Sequence, residues 1–205
     1  MIKTLKDLRF YMMADAIMNE QVFPQGIYKY IDYKRNLIHR FFKTLRLTEY
    51  LCNCKYHKLL SPIKYLMLRH YYRLCAKTGF DIPLNSLGYG CRIGHLSTIV
   101  MNNSTKIGNY CCIHNNIVFG DANPKVIGDH CYIGSNVTFA KAVTLAEGCM
   151  VSSNSFVRHS CLKPNTLLGG AISKPIKQHA RWTDEPVYHD EYLRCEQLRK
   201  QMYKI

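Results

Sequence analysis

The chain has 205 residues, enough for one main domain with an appended smaller unit, and 47% are hydrophobic, which excludes wholesale disorder. No uninterrupted apolar run approaches the length of a spanning helix, and the N-terminal stretch lacks the apolar region and cleavage site of a signal peptide. A cytoplasmic protein is expected, its ten cysteines read as reduced thiols and not as a disulfide framework.

Residues 7–20, 37–53 and 61–80 read as amphipathic helices, with Gly79 as a stop for the last. This region holds most of the charge. Up to Phe80 there are 15 Lys plus Arg against 5 Asp plus Glu, a net of +10; the rest has 13 against 9, a net of +4. Such an excess suits an anionic partner (a phosphate-bearing cofactor, an acidic glycan, a membrane surface or nucleic acid) or a solvated basic helical face. Cys52, Cys54 and His57 in CNCKYH are zinc-like in type, but they lack C-x2-C spacing and a fourth ligand, so no metal is expected. The region has no recognisable nucleic-acid motif, and no nucleic-acid partner is expected. P-loop, dinucleotide fingerprint and nucleophile elbow are also missing.

From Leu87 onward an apolar residue recurs at every sixth position: Leu87, Ile93 and Ile99; Ile107, Ile113 and Phe119; then Ile127, Ile133, Phe139, Leu145, Val151 and Val157. The joins from Ile99 to Ile107 and from Phe119 to Ile127 are each eight residues and so carry two extra. Neither a helix nor an alternating strand has this period. It is the signature of a parallel β-helix, in which stacked coils bury the repeated residue. Four positions beyond the repeat stand Cys91, Cys111, Cys131, Cys149 and Cys161, beside Ser97, Val137, Val143 and Ser155. A phase that accepts Cys, Ser and Val wants a small inward residue. Cys111 is therefore packing, and its neighbour Cys112 a turn or outer-surface residue. His114, His130 and His159 fall at three different phases and read as surface residues, with His114 approaching any cleft. After Val157 the pattern fades into a final partial coil ending near Gly169 and Gly170, and a helical tail begins near Glu185. Three regions result: a helical N-terminal region (1–79), a β-helix (80–172) and a C-terminal extension (173–205).

The stretches FDIPLNSLGYGCRIGHLSTIVMN, STKIGNYCCIHNNIVFGD, NPKVIGDHCYIGSN and VSSNSFV resemble the hexapeptide-repeat acyltransferases, in particular their serine-acetyltransferase-like branch found in surface-polysaccharide gene clusters. The resemblance implies a left-handed β-helix, mainly β, with a helical cap and a short helical tail. It also implies a homotrimer with sites in clefts between subunits, and acetyl transfer from acetyl-CoA to a hydroxyl. By matching position His95 is the general base and Asp81 the carboxylate that orients it. Serine acetyltransferases carry a second histidine where Asn123 stands in ANPK, so Asn123 and His114 are read as acceptor-binding residues. IGSN and VSSN make Gly134, Ser135, Ser152 and Ser153 candidates for the pantetheine arm, though turn chemistry explains the same residues. Lys174 and Lys177 are candidates for the CoA phosphates. The closing Gly-x-Pro-Ala of relatives is replaced by GGAIS.

The resulting expectation is an O-acetyltransferase acting on a sugar of a surface polysaccharide, with the basic N-terminal region docking peripherally at the inner membrane face. Serine acetylation for cysteine synthesis and a non-catalytic scaffold are the alternatives.

Overall fold

An apolar residue at every sixth position is buried only if the chain turns a corner between one and the next. The computed structural model describes residues 1–21, 26, 33–54 and 61–205, without the side chains of 33–35; His57 of the CNCKYH stretch lies outside the described residues. Within them the repeat winds into a parallel coil with three faces. One face stacks β1 (Phe80–Asp81), β3 (Ile99–Met101), β6 (Ile117–Phe119), β9 (Thr138–Phe139) and β12 (Phe156–Val157). A second stacks β2 (Arg92–Ile93), β5 (Cys112–Ile113), β8 (Tyr132–Ile133), β11 (Met150–Val151) and β13 (Thr166–Gly169). The third stacks β4 (Thr105–Ile107), β7 (Lys125–Ile127) and β10 (Val143–Leu145). The repeated residues are buried on every face, and Phe119 and Phe139 stack with ring centroids 4.6 Å apart and planes 5° from parallel.

Register corrects one detail of the period. Ile93 pairs with Ile113, and Met101 lies level with Phe119, which lies level with Phe139. The two extra residues of the first coil therefore fall in the corner 94–98, which carries His95, and not between Ile99 and Ile107. The period could not choose, because Ile99 and Met101 are both apolar and both buried. Ser97 is consequently not an inward residue; it is half-buried, and its Oγ lies 2.6 Å from Asn116 Oδ1. The second insertion falls as expected, between Phe119 and Ile127.

The inward cysteines are packing groups. Cys91, Cys111, Cys131 and Cys149 have no exposed surface. Their thiols point at carbonyls of the neighbouring coil, with Cys111 Sγ 3.1 Å from Gly128 O and Cys131 Sγ 3.2 Å from Ala146 O. Cys112 departs from the sequence expectation. It faces out of the coil yet is buried, because helices cover that face. Burial pushes its thiol up to about 12, the opposite of an activated thiolate.

The helices close the lower end. α1 (Leu5–Met18) starts at Thr4, whose hydroxyl accepts from Asp7 N in a capping box. α2 (Tyr33–Asn53) and α3 (Ser61–Thr78) place Phe41, Phe42, Leu45 and Tyr71 against Phe80, Ile82 and Leu87, continuous with the coil core. An open coil end also exposes unpaired backbone groups. Here α1 and α2 satisfy them. Arg46 is fully buried and donates to the carbonyls of Leu87 (3.0 Å) and Gly88 (2.5 Å) as well as to Asp15 (2.7 Å) and Glu49 (3.0 Å). Asn19 donates to Cys91 O at 2.8 Å, and Gly90 N donates to Asp15 Oδ1 at 2.8 Å.

The upper end differs from expectation. β13 is followed by β14 (Lys174–Gln178), which pairs with it antiparallel and is exposed throughout. The chain then returns along the coil, and α4 (Pro186–Tyr203) packs on α1. Trp182 is buried with its Nε1 donating to Tyr110 O at 3.0 Å, and Tyr110 donates to Glu196 at 2.6 Å. His130, read from sequence as a surface residue, is 6% exposed beneath this segment, with Nδ1 2.9 Å from Thr183 Oγ1 and its ring stacked on Tyr110.

Burial, reinforced by the Arg181 charge, pushes the His130 imidazole below its ordinary value. The unfolded chain thus binds this proton more readily, so the stabilisation is complete above about pH 6.5 and is lost as pH falls below it. The melting temperature is expected to drop on acidification through this range, and to drop less in His130→Gln. His114, shifted the same way, remains in that variant. Equal slopes in the two proteins would mean that His130 titrates freely in the folded state.

Candidate active site

The coil period sets which residues share an edge. Ile93, Ile113, Ile133 and Val151 are stacked, so the residues that follow them turn the same corner, between the second face and the first. This edge carries Gly94 and His95, then His114 and Asn115, Gly134 and Ser135, and Ser152 and Ser153. Seven of the ten candidate residues, His95, His114, Gly134, Ser135, Ser152, Ser153 and Lys174, therefore belong to one edge and its upper end. At a strand spacing of about 4.8 Å, the three steps from the His95 corner to Ser152 span roughly 14 Å.

His95 is exposed on the widened corner, and a Cβ added at the neighbouring Gly94 would meet no atom within 4 Å, so the corner is open there. One coil above, His114 is half-buried against Tyr132, ring centroids 4.9 Å apart. Burial first, then the neighbouring His95 and Arg92 charges, push the His114 imidazole below its ordinary value, which favours the neutral ring. Asp81 projects from β1, exposed, at the register of Val100. Gly79, two residues before it, abuts this corner: a Cβ there would lie 3.0 Å from Ser97 O. Among the described residues Asp81 and His95 are not hydrogen-bonded to each other.

Higher on the edge, side chains tie coil to coil. Asn116, Asn136 and Asn154 all have positive φ, a conformation asparagine tolerates, and their amides form a ladder: Asn116 Nδ2 donates to Asn136 at 2.9 Å, and Asn136 Nδ2 to Asn154 at 3.0 Å. Ser135 N donates to Ser153 Oγ at 3.1 Å, and Ser135 Oγ lies 2.6 Å from Asn115 Oδ1. Gly134 has a structural requirement of its own. A Cβ there would lie 2.7 Å from Ser153 N and 2.8 Å from Val151 O, closer than real contacts allow. At the top, Lys174 is exposed on β14 opposite Gly169, and a Cβ on Gly169 would lie 3.1 Å from Ser152 Oγ.

Asn123 is not on this edge. It lies in the corner between the first and third faces, in a loop closed around the buried ammonium of Lys125. That group bonds to Gly120 O and to the Asp121 carboxylate, and donates to Asn123 O at 2.9 Å. Hydrogen bonding to Lys125 holds the Asp121 carboxyl well below its usual range. Asn123 N donates to Asp121 Oδ1 at 2.9 Å, so the backbone is fixed and the exposed side chain faces solvent. Within one chain, Asn123 and His95 do not meet.

Sequence reasoning missed Arg92 and Tyr132, which flank His114, and the asparagine ladder. The ladder had a signal: 116, 136 and 154 are spaced by the coil length. Arg92 had none, because the neighbours that fix it are Met18 O at 3.3 Å and the Tyr188 ring at 4.8 Å, both distant in sequence.

Residues 124–159 match the bacterial transferase hexapeptide (six repeats) family. No curated protein matches the chain. Among solved structures, the chain is similar to serine acetyltransferase of Neisseria gonorrhoeae, with 18% identity and a TM-score of 0.64, covering 90% of this chain and 72% of that one. It is also similar to the soybean serine acetyltransferase apoenzyme, with 21% identity and a TM-score of 0.63 over 82% and 69% of the two chains. A serine acetyltransferase in complex with cysteine has 15% identity and a TM-score of 0.66 over 91% and 71%. At these identities the likeness is one of fold.

Proposed function

We propose that this hexapeptide-repeat chain is an acetyl-CoA-dependent O-acetyltransferase whose acceptor is a sugar hydroxyl of a surface polysaccharide. One observation carries the reading: His95, His114, Ser152, Ser153 and Lys174 are strung along a single open edge of the coil. A thioester arm laid along such an edge has backbone groups and Ser152 beside it and the Lys174 cation at its head. Gly134 and Ser135 serve this arrangement mainly by keeping adjacent coils close.

A sugar hydroxyl is a weak nucleophile at neutral pH. In the proposed reaction His95 accepts its proton as the oxygen attacks the thioester carbonyl, which contributes about 10²–10⁴-fold. Collapse of the tetrahedral intermediate breaks the carbon–sulfur bond, and the proton held by His95 passes to the departing thiolate. Asp81 stabilises the imidazolium and fixes its tautomer once a substrate draws the two together. In a trimer with clefts between chains, the Asn123 corner of one chain would meet the His95 edge of the next, with Asn123 orienting the acceptor.

The sugar reading draws support from Asn123, which supplies a hydrogen-bonding amide where serine acetyltransferases have a second histidine. A second reading, free serine as acceptor, draws support from the solved structures of similar fold. Release of CoA thiol should be followed with acetyl-CoA and a panel of L-serine, sugars and sugar glycosides. Enzyme-only controls are essential because the protein has ten cysteines of its own. Turnover on a sugar but not on serine is expected, and turnover on serine alone would replace this reading with the second. No turnover and no binding to immobilised CoA would make the coil a scaffold. Cytoplasmic placement with peripheral contact at the inner membrane face belongs to the same proposal.

A further inference from the structure

The helix leading into the coil has a second face that the cap does not use. α3 buries Tyr71, Leu74 and Thr78. On the opposite side Tyr65, Arg69, Tyr72, Arg73 and Ala76 follow one another at helical spacing, with Leu66 beside them. Tyr65, Leu66 and Tyr72 are 65%, 60% and 63% exposed, an unusual concentration of large apolar side chains on one surface helix. Tyr65, Tyr72 and the two arginines border an open groove of about 550 Å³.

Charge identifies the occupant. No Asp or Glu occurs between Tyr50 and Phe80, whereas the same stretch holds Lys55, Lys58, Lys64, Arg69, Arg73 and Lys77. Among the described residues Arg69 and Arg73 have no ion-pair partner. A second copy of this face would bring cation against cation with no carboxylate to separate them. An anionic bilayer surface offers what both halves of the face require: negative headgroups for the arginines, and an interfacial layer in which tyrosine rings and Leu66 are buried. The 18-residue helix is about 27 Å long and shows no span-forming apolar run, so it would lie in the interface plane.

We infer that α3 docks this protein on anionic lipid through Tyr65, Leu66, Arg69, Tyr72 and Arg73. The position of the helix gives the docking a purpose. Ala76 borders both this groove and a second one formed with Cys75, Gly79, Phe80 and Asp81, and Gly79 abuts the corner that carries His95. A docked helix would therefore hold the candidate edge close to the bilayer, where an acceptor carried on a lipid anchor could reach it. That last step rests on the acetyltransferase reading; the docking itself does not.

The test is flotation of the full-length chain with vesicles of phosphatidylcholine alone and vesicles enriched in phosphatidylglycerol. Flotation with the second only is expected. Each cation removed near an anionic surface weakens binding about five-fold, so Arg69→Gln/Arg73→Gln should bind about 25-fold more weakly. Tyr72→Ser should also weaken binding, through the lost ring. Lys200→Gln/Lys204→Gln, in the last turn and at the C-cap of α4, removes the same charge elsewhere and should leave binding within a few-fold. The inference falls if wild type ignores the anionic vesicles, or if the α4 pair loses as much as the α3 pair. It falls equally if Tyr72→Ser instead abolishes self-association in sedimentation equilibrium, or if a single-stranded oligonucleotide binds more tightly through the same arginines. Flotation by a wild type that transfers no acetyl group would uphold the docking and remove the acetyltransferase reading.

Discussion

His95→Ala is expected to lower acetyl transfer by about 10²–10⁴-fold while leaving the unfolding free energy within about 0.5 kcal/mol. The large effect follows from the proposed role. With the imidazole gone, the attacking oxygen has no positioned base and must lose its proton to water. The small effect follows from the surroundings: His95 is exposed, and among the described residues its ring has no hydrogen-bond partner to lose. The decisive comparison is turnover against the affinity for immobilised CoA. If His95 is the base, turnover collapses and CoA affinity does not. Unchanged turnover would remove His95 from the mechanism, and His114, the neighbouring neutral imidazole, would be the next group to replace.

Arg46→Ala is expected to destabilise the fold by about 3–5 kcal/mol, measured by chemical denaturation, without altering any residue of the candidate edge. Its guanidinium has no exposed surface and binds two carboxylates and two coil carbonyls at once. Truncation leaves Asp15 and Glu49 buried without their counter-charge and leaves the Leu87 and Gly88 carbonyls unpaired in the same site. Asp15→Asn combined with Arg46→Met should be milder than Arg46→Ala alone, because it removes a buried charge together with its partner. A loss below about 1 kcal/mol for Arg46→Ala would show that water replaces the guanidinium and that the coil end is more open than described.

The parts of this molecule that repeat were legible in the sequence. A step of six fixes three faces, and the inward phase of Cys91, Cys111, Cys131 and Cys149 follows from it, because each coil repeats the constraint of the last. The alignment of His95, His114 and the Gly134 and Ser152 corners on one edge was likewise implicit in the coil length. What stayed hidden depends on contacts made once. Of the partners of Arg46, Glu49 stands three residues on along the same helix, but Asp15 and the carbonyls of Leu87 and Gly88 come from α1 and the first coil, and no local pattern announces them. Cys112 is buried because α1 and the returning C-terminal segment cover its face. β14 escaped notice because its side chains are all exposed and it contains Pro175, so it lacks any apolar alternation. The pairing of Asp81 with His95 is implied by the resemblance alone, and among the described residues the two side chains share no hydrogen bond.

β14 has a consequence for how chains can associate. A stack of parallel coils is a cross-section that could in principle continue from one molecule into the next, since the last strand offers its backbone to any similar strand. The antiparallel turn of β14 breaks the sense of the stack. Pro175 removes a backbone donor at the new rim, and Lys174 and Lys177 place like charges there. The opposite end is plugged by helices whose polar groups already occupy the rim carbonyls. Among the described residues, both ends of the coil therefore disfavour strand-to-strand growth along its axis.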